Sequence, residues 1–279
     1  MVHAHNHDHD HRLSVVHFTA PTCWWSWGYE PVFNRLQLVY RDQINLLTLY
    51  GTVYEDVEEY KKGYELDDVG MVSWAKESQQ IMGVPMHANY RFDRMPKNLL
   101  PATLAVMAAA RQGHEKGHRF YRALLRRNIV EDQDVTNKAT ILEAVNEASL
   151  DEDKFVQDWS DEAGLKAELE KQGDGAPPVH VGFYNIAVTD GHGRTVYLDQ
   201  KFEPSEAERA IDYLSGGLLK KNKPTDFLAY LKAQGPTSLI EIQRVFNLSQ
   251  NNAQAELERL EKFGKSKRLT LNGASFWTG

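Results

Sequence analysis

The sequence predicts an α/β protein: a βαβ opening, a long helical stretch, a β-hairpin, and a small C-terminal unit of helices closed by a second hairpin. Three observations predict it. An apolar run at 13–18 passes into a helical pattern through Val32, Leu36 and Val39 and then into a second apolar run at 44–50, the strand, helix, strand order that parallel pairing requires. Residues 57–172 carry mostly helical periodicity. Beyond them, β-rich runs at 179–189 and 194–198 flank the turn Asp190-Gly191-His192-Gly193.

Within the helical stretch, Gly83-Val84-Pro85, Asn98, Gly113, Asp132 and Leu150-Asp151 break the pattern into five or six helices. Residues 99–111 are rich in Ala and Leu, and a helix over 135–148 has Thr136 as its predicted N-cap. After the second hairpin strand, Ser205 is positioned to cap a helix over 206–214. A charged, glycine-containing connector at 215–223 then predicts a domain boundary. Helices are expected at 224–233, 238–246 and 251–263, with Ser238 and Ser249 at cap positions. Strands at 267–271 and 274–278 flank Asn272-Gly273, a strong two-residue hairpin signal.

The chemistry centres on the single cysteine in 279 residues. Cys23 falls where the first strand hands over to a helix, in Pro21-Thr22-Cys23-Trp24-Trp25-Ser26-Trp27-Gly28-Tyr29-Glu30-Pro31. Unpaired backbone N–H groups and the helix dipole favour a thiolate at such a place, so the position predicts a lowered thiol pKa, the plainer alternative being a buried cysteine that acts as a small hydrophobe. The spacing is that of a Cys-x-x-Cys redox pair whose second member is Ser26. Serine can donate a hydrogen bond to a thiolate but cannot resolve a mixed disulfide, so a redox cycle would borrow a second thiol.

This stretch resembles the DsbA-like thioredoxin-fold family, in its FrnE-type dithiol isomerase branch, whose members carry Cys-x-x-Cys-Trp-Gly-Phe-Glu-Pro here; Trp27, Gly28, Tyr29, Glu30 and Pro31 are in register. The resemblance implies a thioredoxin fold over 13–215 with a helical domain inserted at about 57–172. It also implies a cis-proline at the start of the returning strand, facing the cysteine. By the family's Gly-x-Pro spacing, Pro177 in Gly175-Ala176-Pro177-Pro178-Val179 takes that role, Pro178 being the alternative, with Ala176 offering backbone groups to an extended ligand. Two consecutive prolines that merely end the preceding helix are the plainer alternative. Trp24 and Trp25, at the family's variable dipeptide, would form a partly exposed substrate lip; Trp27 is the core candidate.

These residues lead to a thiol-disulfide oxidoreductase or isomerase working through Cys23, steadied by Ser26, on protein or small thiol substrates. It would need no cofactor beyond a low-molecular-weight thiol such as glutathione. Two readings compete with it: a kappa-type glutathione-transferase-like enzyme, and a non-catalytic redox-responsive adaptor or DNA-binding regulator on the same scaffold. The C-terminal unit at 224–279 resembles a winged helix-turn-helix. Its third helix carries Glu256, Glu258 and Glu261, which oppose phosphate, while Lys262, Lys265, Lys267 and Arg268 gather at the helix end and hairpin, leaving protein and DNA partners both open.

A formal charge of −7 argues against a globally basic nucleic-acid binder, and the apolar runs are too short for a bilayer. Together with the lack of an apolar signal core, this places the expected site of action in the cytoplasm. Residues 1–12, with histidine at 3, 5, 7, 9 and 11, are expected to form a disordered tail that fixes no metal geometry. His17 and His180 are expected to be packed or surface residues, and the acidic run Glu55, Asp56, Glu58 and Glu59 a solvated helix face.

Overall fold

The computed structural model describes residues 12–65, 67–87, 95–172 and 186–279. Strand β1 (Ser14–Thr19) leads through the cysteine turn into α1 (Trp24–Tyr40), and β2 (Asn45–Tyr50) returns parallel to β1, with Ser14 opposite Asn45 and Thr19 opposite Tyr50. β1 is buried almost throughout, as a central strand of branched residues should be. Along the outer edge of β2, the Gln172 amide accepts from the N–H of Tyr50 and donates to its carbonyl, doing for that edge what a neighbouring strand would.

Among the described residues, seven helices fill the insertion: α2 (Val57–Gly63), α3 (Asp68–Met82), α4 (Leu100–Ala110), α5 (His114–Ile129), α6 (Lys138–Glu147), α7 (Glu152–Ser160) and α8 (Glu162–Lys171). The sequence breaks fall between them, but the count exceeds the predicted five or six because 152–171 splits at Asp161, which caps α8. α4 is apolar on nearly every side and is enclosed accordingly. Helix α6 does not use the predicted cap: Thr136 bonds to Asp134, and Asn137 accepts from the N–H of Ala139 instead.

The sheet is completed by β3 (Ile186–Thr189), antiparallel to β1, and β4 (Thr195–Leu198), giving the order β2-β1-β3-β4. Asp190 stabilises the β3–β4 turn by accepting from the N–H groups of His192 and Arg194. Helix α9 (Pro204–Ser215) covers the sheet; Pro204 opens it and Glu203 is its N-cap, so Ser205 already lies inside the first turn rather than capping it. Cys23, Trp24, Trp25 and Ser26 are all described, whereas Ala176, Pro177, Pro178 and His180, and the histidine-rich residues 1–11, lie outside the described residues.

The C-terminal segment forms α10 (Phe227–Gln234), β5 (Thr237–Ser238), α11 (Leu239–Phe246), α12 (Gln250–Lys262), β6 (Lys267–Leu271) and β7 (Ala274–Thr278), the strands ordered β5-β7-β6. Ser238 and Ser249 cap α11 and α12 as predicted, and Asn272 and Gly273 both take the positive φ that a tight hairpin requires. This unit has its own apolar centre around Leu231, Ile242, Val245 and Leu257. It is also bound to the scaffold by Arg35, which donates to the Val245 carbonyl at 2.8 Å, and by Arg244, which donates to the Met82 carbonyl at 2.8 Å.

Candidate functional site

Cys23 is the N-cap of α1, in extended backbone, and its amide donates to the Ala20 carbonyl. The donors that the sequence leads one to expect are present: the backbone N–H groups of Trp25 and Ser26 and the Ser26 hydroxyl act on the sulfur, each favouring the thiolate. Burial outweighs them. Cys23 is 5% exposed, and loss of solvation pushes its thiol up to about 12. The expected low-pKa, accessible nucleophile is therefore corrected to a sealed, protonated thiol. The helix start supplies partial charges, and they do not replace the solvent that a full negative charge loses.

Ser26 is completely buried and does more than face the sulfur: its Oγ accepts from the Ala20 N–H at 3.2 Å, tying the first turn of α1 to the end of β1. Trp24 is 6% exposed and meets Trp74 of α3 edge-on at 5.2 Å, while Trp25, half-buried, stacks on Phe202 at 5.7 Å. Of the expected tryptophan lip, only Trp25 retains partial exposure. Trp27 is core, as predicted, with its Nε1 donating to the Pro85 carbonyl. Gly28 leaves room for Met82: a Cβ there would lie 2.4 Å from the Met82 sulfur. His17 is packed between the rings of Tyr29 and Phe33, and its burial pushes its pKa down to about 3.

Two turns along the same helix stands a feature that sequence reading missed. Glu30 (1% exposed) lies 3.4 Å from Arg122 of α5, whose other arm donates to Glu241 of α11 at 2.7 Å. Tyr230 donates to Glu241 at 2.6 Å and accepts from Asn34 at 3.1 Å, while the Arg122 Nε donates to the Gln234 carbonyl. One helix of the βαβ unit, one of the insertion and two of the C-terminal unit thus meet at a single guanidinium, which also lies over the Trp27 ring. Burial, with the nearby charge of Glu241, pushes Glu30 up to about 7 despite Arg122, because the closer carboxylate takes the better share of that cation. His118, 3.9 Å from Glu30, is pushed down to about 4 and brings no compensating charge. The available signal was Trp27, Glu30 and Asn34 recurring on one apolar helix face.

A narrow cleft of about 40 Å³ opens beside the cysteine turn between α1 and the insertion, with Thr22, Trp24, Tyr54, Tyr60 and Met71 among its walls. An aromatic chain passes beside it, leaving the cleft wall at Trp74 and Tyr64: Trp24 touches Trp74, Trp74 touches Tyr64, Tyr64 touches Tyr60, and Tyr60 touches Tyr54, at 4.9–5.7 Å between ring centres. Among the described residues no group of three His, Cys, Asp or Glu side chains could hold a metal, and no helix is long and apolar enough to cross a membrane.

The sheet order, the helical insertion and a cysteine at the start of α1 define a DsbA-like thioredoxin-fold protein. The chain belongs to the thioredoxin family, which it matches over residues 17–169. Its fold is similar to that of the cytosolic disulfide reductase DsbM of Pseudomonas aeruginosa, at TM-score 0.50 and 19% identity, covering 74% of this chain and 98% of that one. Its similarity to curated proteins runs through the C-terminal unit as well. It is 23% identical to the ClpXP adapter protein SpxH of Halalkalibacterium halodurans and 22% identical to that of Bacillus subtilis, in each case over 95% of this chain and 88% of the relative.

Proposed function

We propose that this chain is a non-catalytic protease adaptor, which binds a protein and presents it to a ClpXP-type protease. The observation that carries the reading is the sealed sulfur: the fold keeps the position of a redox cysteine while burial holds that thiol neutral. The adaptor relatives support it, because their similarity extends across the C-terminal unit. Adaptor work needs docking surfaces and no nucleophile, so it accommodates both the loss of a second cysteine and the burial of the first. For the C-terminal unit, the adaptor reading takes a protein partner over DNA. Arg259 and Arg268 are paired to Glu256 and Glu261, which leaves α12 with carboxylates where phosphates would approach.

The test is degradation. Added to purified ClpXP in an extract of its own cells, the full chain should shorten the half-life of at least one protein several-fold, and Cys23→Ser should do so equally well. No accelerated substrate, or acceleration lost in Cys23→Ser, contradicts the reading. One observation favours a second reading, thiol exchange with a small thiol such as glutathione: Cys23 keeps the N-cap position of α1, beside Ser26. That reading requires an opening of the site that exposes the thiol, and it predicts disulfide reductase turnover that Cys23→Ser abolishes.

A further inference from the structure

We infer that the cleft beside the cysteine turn is an arginine-binding site, which takes a guanidinium presented by the protein partner. The inference rests on the adaptor reading and names the chemistry of the contact. Its walls are aromatic faces, Trp24, Tyr54 and Tyr60, onto which a flat delocalised cation stacks well. Its polar groups are rich in acceptors. Asp132 and Asp134 line it as carboxylates, one Asp134 oxygen being engaged by Thr136, and Asn128 adds a side-chain amide. The Oε1 of Gln133 and the hydroxyl of Thr22, a residue 4% exposed, are both buried and make no hydrogen bond among the described residues. Orphaned acceptors of this kind cost stability unless a ligand meets them, and a guanidinium brings five N–H donors and no acceptor.

The surroundings carry the same sign. Between 55 and 67 the chain carries the exposed carboxylates Glu55, Asp56, Glu58, Glu59, Glu65 and Asp67 against two lysines, Lys61 and Lys62. They draw a cation toward the cleft mouth and repel phosphate or carboxylate ligands. An aliphatic ligand would fill the aromatic walls but leave Thr22 and Gln133 unmet. A lysine would meet the charge but could not stack flat on the aromatic walls.

The experiment titrates the full chain with three blocked pentapeptides, each with glycine on both sides of a central arginine, lysine or citrulline, and follows binding by calorimetry and tryptophan fluorescence. The arginine peptide should bind at least tenfold tighter than the lysine peptide, with no detectable binding of the uncharged, near-isosteric citrulline peptide. Tyr60→Leu, Gln133→Leu and Asp132→Asn, the last tolerating the positive φ at that position, should each weaken arginine binding tenfold while melting as the native chain does. Equal affinity for all three peptides, no binding of any, or unchanged affinity in all three variants overturns the proposal. The ClpXP assay separates its failure from that of the adaptor reading. Variants that have lost the arginine peptide but still deliver the partner at the native rate refute the cleft as the partner contact and leave the adaptor standing. Arginine binding with no accelerated substrate refutes the adaptor and leaves the cleft.

Discussion

The two ends of the first half of α1 solve the same problem in opposite ways. At Cys23 a polar atom is buried with hydrogen-bond donors but no counter-charge, and it stays protonated. Seven residues on, at Glu30, a carboxylate is buried with a guanidinium it must share, and its proton is only half-secured at neutral pH. The difference teaches that partial charges at a helix start are too weak to hold an ion in this interior, whereas a full opposite charge comes close. It also separates roles: the cysteine end is chemically quiet, and the glutamate end joins the C-terminal unit to the scaffold.

The largest expected effect breaks the glutamate end. Arg122→Leu leaves Glu30 and Glu241 buried without their shared cation and should cost about 3–5 kcal/mol in denaturant titration; a loss below about 1 kcal/mol would show that the cluster is not a joint. Next comes pH. A carboxyl whose folded pKa lies above its unfolded one holds its proton more tightly in the native state, so the stability Glu30 contributes is full below about pH 4.5 and is lost as the pH rises through about 7. Over that span the native chain should lose up to about 3 kcal/mol that Glu30→Gln does not lose, measured as the difference between the two stability profiles.

Smaller effects sharpen the contrast at the cysteine end. Gly28→Ala drives a Cβ against the fully buried Met82 side chain and should cost about 1–3 kcal/mol by thermal melting, since Met82 must shift within a packed core. Cys23→Ser places a polar group of similar size at the same N-cap, and it should change stability by less than about 1.5 kcal/mol. A much larger loss from the serine would mean that the sulfur is valued for its apolar packing rather than for its hydrogen bonds.

Much of the fold was legible because its signals are local. The 18–31 stretch, the Asn272-Gly273 hairpin and the Ser238 and Ser249 caps all act over a few residues, and each gave the element it predicts. Where two local solutions competed, the choice was not legible: Asn137 displaced Thr136 because Asp134 had already taken that hydroxyl, and Pro204 started α9 one residue before Ser205. The state of Cys23 was illegible for a different reason. Its donors are within three residues, but its burial depends on parts of the chain far off in sequence, as where Trp74 meets Trp24. The Arg122 cluster likewise joins positions 92 and 119 residues apart, which no periodicity links.

The central claim, a thiol sealed and neutral at the head of α1, is tested most directly by the rate of Cys23 alkylation with iodoacetamide as pH is raised, in the native chain and in urea. The account predicts native alkylation at least a thousandfold slower than in urea, with no inflection below about pH 10. Native alkylation as fast as in urea, rising through an inflection near pH 7 or lower, would contradict it and return the cysteine to catalysis.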